Sequence, residues 1–167
     1  MPAENKAAAV VPLISSSVSG PLGVKHLPRL WNKVLLSAKG LLHEDYPPFG
    51  GFDEMVLSAI RLSQEETETY LKDNVPTYPE FEQWVLQKNG GSLNQEAIER
   101  VNAAIMNATY NEYDRKVVLA VSGLEDDASI TDAVTLSNLA DWEEFHRNLV
   151  SGFEKSTQET WRTSAHP

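Results

Sequence analysis

The sequence predicts an all-α fold, an irregular bundle of five to seven helices, and three observations predict it. Apolar residues recur at helical spacing along nearly every long segment. At four points a helix-capping residue stands three positions ahead of an acid: Ser63 and Glu66, Thr77 and Glu80, Asn111 and Asp114, Asn138 and Asp141. The stretches between these segments are short and carry glycine or proline, as connections in a bundle do.

Residues 1–20 are rich in alanine, serine and proline and read as a flexible or loosely docked arm. The apolar run Ala7 to Ile14 is too short to span a bilayer. With only Lys6 ahead of it, Glu4 beside it and no clear cleavage site behind it, it does not read as a signal peptide. Leu27 to Leu42 is the first firm helix. Pro28 suits its first position, and Leu27, Leu30, Trp31, Val34, Leu35, Ala38, Leu41 and Leu42 recur at helical spacing. Gly40 weakens its end, and the paired prolines and glycines between His43 and Gly51 make that stretch a loop. Phe52 to Leu62 is a second, shorter helix. Ser63 starts a third that runs to about Asn74, and Thr77 a fourth that Gly90 and Gly91 terminate near Asn89.

Ser92 or Asn94 can cap a fifth helix through about Ala108, and Asn111 a sixth with Val117, Val118, Ala120 and Val121 as its apolar residues. Val117 to Val121 is also a run of strand-formers, but no partner strand is evident. Gly123 to Ser129 is turn-like, and Ile130 to Leu136 is ambiguous. The last helix begins at Asn138 and lays Leu139, Trp142, Phe145, Leu149, Val150 and Phe153 on one side. This places a single helical domain at residues 21–155 and a frayed tail at residues 156–167.

The 167 residues suit one domain. The absence of cysteine excludes disulfides, thiolate nucleophiles and cysteine-bound zinc, and suits a reducing cytoplasm. The net charge of −10 opposes binding to nucleic acid or to an anionic membrane. The sequence contains no phosphate-binding Walker loop, no Gly-x-Gly-x-x-Gly and no Gly-x-Ser-x-Gly, so no cofactor is expected. No metal is expected either, because no histidine pair stands at metal-ligand spacing.

The helix motif Leu27-Pro28-Arg29-Leu30-Trp31-Asn32-Lys33 resembles that of a family of small bacterial proteins catalogued as a domain of unknown function. The resemblance continues through Gly40-Leu41-Leu42, Asp45-Tyr46, the Phe52 to Leu57 segment and the block from Pro79 to Val85. It implies an α-helical bundle and a loose association with the breakdown of small aromatic acids. It does not extend to the stretch from about Asn107 onward.

Arg29 and Lys33 are four residues apart on one helix face, where two cations approach each other only with an anion between them. A ligand carboxylate meets that need, with Arg29 as a bidentate fork and Lys33 as a point charge; Glu44, Asp45 or Glu80 are the alternative partners. His43, Glu44, Asp45 and Tyr46 form the densest group of proton-transfer side chains, on a loop that directly follows the cationic helix. There His43 can act as a base and Tyr46 can donate to a developing oxyanion. Trp31, Trp142 and His146 are the residues expected to line a binding pocket with Arg29 and Lys33. The sequence thus points to a cytoplasmic protein that binds a small organic acid, with cofactor-free dehydration, isomerisation or hydrolysis as the accessible chemistry. The rival expectation is an accessory protein that docks on a partner, or on a second copy as a homodimer, through its aromatic last helix.

Overall fold

The computed structural model describes residues 9–163, with side chains through residue 151. The expectations for residues 1–8, for the end of the tail at residues 164–167 and for the side chain of Phe153 lie outside the described residues. Among the described residues the chain forms seven α-helices: α1 (Leu27–Ala38), α2 (Phe52–Ala59), α3 (Gln64–Asn74), α4 (Tyr78–Lys88), α5 (Gln95–Asn107), α6 (Glu112–Val121) and α7 (Ala133–Thr163). No strand occurs among the described residues; three isolated backbone bridges join loops instead. None of the described helices is long and apolar enough to cross a membrane.

Capping fixes most helix starts. Ser63 Oγ accepts from the Glu66 N–H at 3.1 Å, Asn94 Oδ1 from the Ala97 N–H at 3.0 Å, and Asn111 Oδ1 from the Asp114 N–H at 2.8 Å. At α4 the exchange is reciprocal, because Glu80 also accepts from the Thr77 N–H at 2.7 Å. Each such cap stabilises its helix by about 1 kcal/mol.

The boundaries that moved have physical causes. α1 stops at Ala38, since Gly40 takes φ +65° and turns the chain out of the helix. The two leucines beyond it leave the helix: Leu41 accepts from the Val10 N–H at 2.7 Å, and Leu42 forms a parallel bridge with Val10. Residues 9–20 are therefore docked, the second of the two forms expected for this segment. Val11, Pro12 and Ser16 are buried in this segment, and Gly20 sits so close to α4 that a Cβ there would lie 2.3 Å from the Tyr78 ring. Val117 to Val121 is helical and buries Leu119. α7 starts five residues earlier than expected, because Asp132 Oδ1 accepts from the Thr135 N–H at 2.7 Å, and its backbone runs on past Ser156 to Thr163.

Leu27, Leu30 and Val34 of α1 enter the core beside Val56 and Leu57 of α2 and Leu71 of α3. Phe81 and Val85 of α4 and Ile98, Val101 and Ile105 of α5 close it. Burial of each such side chain contributes roughly 1.5–3 kcal/mol. α6 packs against α7 outside this cluster, which α7 joins through Val134. Trp142, Phe145, Leu149 and Val150 of α7 and Val117 and Val121 of α6 remain exposed there.

Candidate functional site: two charge networks on one helix

α1 buries Arg29 and Lys33 along with its leucines. A buried cation persists only when paired and hydrogen-bonded, and the fold supplies one carboxylate for each. Lys33 Nζ is hydrogen-bonded to Asp53 Oδ2. Asp53 is fully buried in the first turn of α2, where it also accepts from the Gly50 N–H at 3.1 Å and faces His26 Nε2 at 2.8 Å. His26 holds Ser16 Oγ at 2.8 Å on its other ring nitrogen. Burial lowers the imidazole pKa of His26 below its ordinary value, against the opposing pull of Asp53. At Asp53 burial favours the neutral acid, but hydrogen bonds and charges from His26 and Lys33 outweigh it and hold the carboxyl below the usual range.

Serine, histidine and aspartate in hydrogen-bonded series are the residue types of a hydrolytic triad. Here Ser16 is only 3% exposed and Lys33 already neutralises Asp53. The series is a closed structural network.

The second network opens to solvent. Arg29 donates to Asp141 of α7 through both terminal nitrogens, at 2.6 and 3.1 Å, and to the carbonyls of Ile14 at 2.8 Å and Pro12 at 3.2 Å. Tyr46 donates to Asp141 Oδ1 at 3.0 Å. Burial, followed by the charge of Asp141, pushes the phenol pKa upward, so the hydroxyl stays a donor. These groups form one wall of a cavity of about 280 Å³. Tyr110, Ser137 and Ala140 line another part, and Asp45 and Glu144 stand on its edge. Buried His43 sits behind them: its Nδ1 accepts from the Asp45 N–H at 3.2 Å, and its Nε2 lies 3.2 Å from Glu144 Oε1.

Of the residues expected from sequence, Arg29, His43, Asp45 and Tyr46 thus converge. The others do not. Lys33 turns to Asp53, so the expected sharing of one ligand carboxylate between Arg29 and Lys33 gives way to two separate internal pairs. Glu44 is exposed. Trp31 donates to the Pro76 carbonyl at 3.0 Å and stacks edge-on against Tyr78. Trp142 and His146 are exposed on α7 and are not among the cavity walls.

Sequence reasoning missed Asp53, Asp141 and Glu144. The available signal was the requirement itself: two cations spaced for a buried face need two carboxylates, and Asp53 and Asp141 each stand among apolar residues. A larger groove of about 580 Å³ runs along α3 and α4, but exposed polar side chains such as Glu65, Thr69 and Asp73 form much of it, and none of the expected site residues reaches it. Compared with known proteins, the chain matches no family model and no curated protein.

Proposed function

We propose that this chain is a small-molecule-binding protein whose site is the cavity between α1, the 43–51 loop and α7. One observation carries this reading. Four chemically active residues from three elements, Arg29 of α1, Tyr46 of the loop and Asp141 and Glu144 of α7, meet around a single cavity of about 280 Å³. That volume suits a metabolite at the small end of ligand pockets.

The charges of the wall favour a particular chemistry. Arg29 is matched by Asp141 and Arg147 pairs with one oxygen of Glu144, which leaves Asp45 to give the lining its net negative charge. A ligand with donor groups or positive charge, such as a small amine or polyol, fits better than a carboxylate. The organic acid that Arg29 suggests, and the aromatic-acid pathway that the family resemblance implies, require the ligand to displace Asp141 from the guanidinium. If turnover accompanies binding, Glu144, which lines the cavity and lies 3.2 Å from His43, is the proton-transfer group, without need of an organic cofactor. The absence of cysteine fits a cytoplasmic setting.

Thermal-shift screening against small amines, polyols and carboxylic acids tests the reading. Amines or polyols should stabilise the native chain and lose that effect in Ser137→Ala and Glu144→Gln. A response confined to carboxylates and lost in Arg29→Lys restores the acid ligand. A flat response across all classes overturns the binding reading.

A second reading has its own support. Trp142, Phe145 and Leu149 are 56%, 45% and 60% exposed along one stretch of α7. An antiparallel pairing of two copies about the Phe145–His146 step would set Trp142 against Leu149 and Glu144 against Arg147 of the second copy. A homodimer in sedimentation that Leu149→Lys dissociates would support it, and a monomer at all concentrations would remove it.

A further inference from the structure

The residues behind the cavity edge form a second feature. His43 and Asp45 come from the loop after α1, and Glu144 comes from α7. Their separation in sequence hides them from any spacing rule, yet one ligand atom of each lies within 4.8 Å of the others. Zinc-like ions sit about 2.0–2.2 Å from nitrogen and oxygen ligands, so small side-chain adjustments close this set around an ion.

Three further observations point the same way. First, the His43 side chain is 9% exposed and positioned rather than free, with Nδ1 directed at the Asp45 backbone and carboxylate and Nε2 at Glu144. Second, two carboxylates converge on this ring, while Arg29 is committed to Asp141 and Arg147 reaches only the other oxygen of Glu144, at 3.1 Å. Like charges held this close favour a cation between them. Third, Asp45 and Glu144 also line the cavity, so an ion on these three ligands has an open coordination position toward it. Three protein ligands with an open fourth position is the arrangement of catalytic rather than structural metal sites.

We propose that His43, Asp45 and Glu144 bind a divalent transition-metal ion at the edge of the cavity. One imidazole and two carboxylates suit zinc or manganese, and the stability order of the divalent ions makes zinc the tighter. The metal site stands on its own three ligands. Only the identity of what fills the open position rests on the cavity reading.

The test uses the full chain, stripped with a chelator and titrated calorimetrically with Zn²⁺, with Co²⁺ as a spectroscopic substitute. The expected result is one saturable site per chain and a visible Co²⁺ absorption typical of low coordination number. His43→Ala should abolish the site, and Glu144→Gln should weaken it by about tenfold or more, whereas Glu143→Gln and His146→Gln should leave it unchanged. If His43→Ala does not fold, Asp45→Asn on its exposed loop serves in its place and should weaken binding by a comparable factor. Absence of a saturable site, or binding indifferent to His43 and Asp45 replacement, overturns the proposal. A flat small-molecule screen leaves these titrations unaltered, so the two readings fail separately.

Discussion

Lys33 and Arg29 stand one helical turn apart on α1, are buried to the same degree and are each neutralised by one aspartate, yet their surroundings differ. Around Lys33 every partner is interior: Asp53 is fully buried, and His26 and Ser16 extend the network inward. Around Arg29 the network reaches a cavity, because Asp141 and Tyr46 form its wall. The same residue chemistry is enclosed in the interior at one turn of the helix and borders the cavity of the proposed site at the neighbouring turn. What separates the two is access, and substitution can measure the separation.

The largest effect is expected at Asp53. Asp53→Ala leaves the Lys33 ammonium buried without a counter-charge and should cost about 3–5 kcal/mol in denaturant unfolding. A cost near zero would mean that Lys33 reaches solvent and that the two networks are alike.

Acid should attack the same network without mutation. The His26 imidazole lies below its ordinary value in the folded chain, so below about pH 6.5 the unfolded chain binds the extra proton and stability falls. The depressed Asp53 carboxyl adds stability above its unfolded value, and that contribution is lost as pH falls through the folded value. Melting temperature should therefore drop from about pH 6.5 downward. His26→Asn should flatten the first part of that fall.

Asp141→Ala is the counterpart in the open network. Arg29 keeps its hydrogen bonds to the Pro12 and Ile14 carbonyls, and water can enter from the cavity. The cost should be about 1.5–3 kcal/mol, below that of Asp53→Ala. Equal costs would erase the distinction.

The fold was largely legible in the sequence because its determinants are local. Ser63, Thr77 and Asn111 cap the helices they precede, as their spacing predicts, and Asn94, one of two candidates, caps α5, whereas Asn138 lies inside α7. For residues 9–20 the sequence left flexible and docked forms open, because little in the segment itself decides between them. These residues are held by long-range bonds, from Arg29 to their carbonyls and from Val10 to the chain beyond α1. The candidate site was half legible for the same reason. Arg29, His43, Asp45 and Tyr46 stand close together in sequence and were visible as a group, whereas Asp141 and Glu144 reach them only when α7 folds back across the bundle. Helical spacing put Lys33 beside Arg29 but could not assign the two cations to different carboxylates.

The finest form of the comparison removes one hydroxyl from each network. Ser16→Ala strips the partner from a buried ring nitrogen of His26, and an unsatisfied buried polar atom costs about 1–3 kcal/mol. Tyr46→Phe removes one donor from an Asp141 that still holds Arg29 through two hydrogen bonds and borders a cavity, so only about 0.5–1.5 kcal/mol is at stake. The functional readouts should run in the opposite order. Tyr46 lines the cavity, so its phenylalanine variant should retain the fold and weaken any ligand found in the thermal-shift screen, whereas Ser16→Ala should melt earlier and bind that ligand with unchanged affinity. If Tyr46→Phe destabilises more than Ser16→Ala and leaves ligand affinity intact, the Arg29 network is as structural as the Lys33 network, and the cavity beside it is not the binding site.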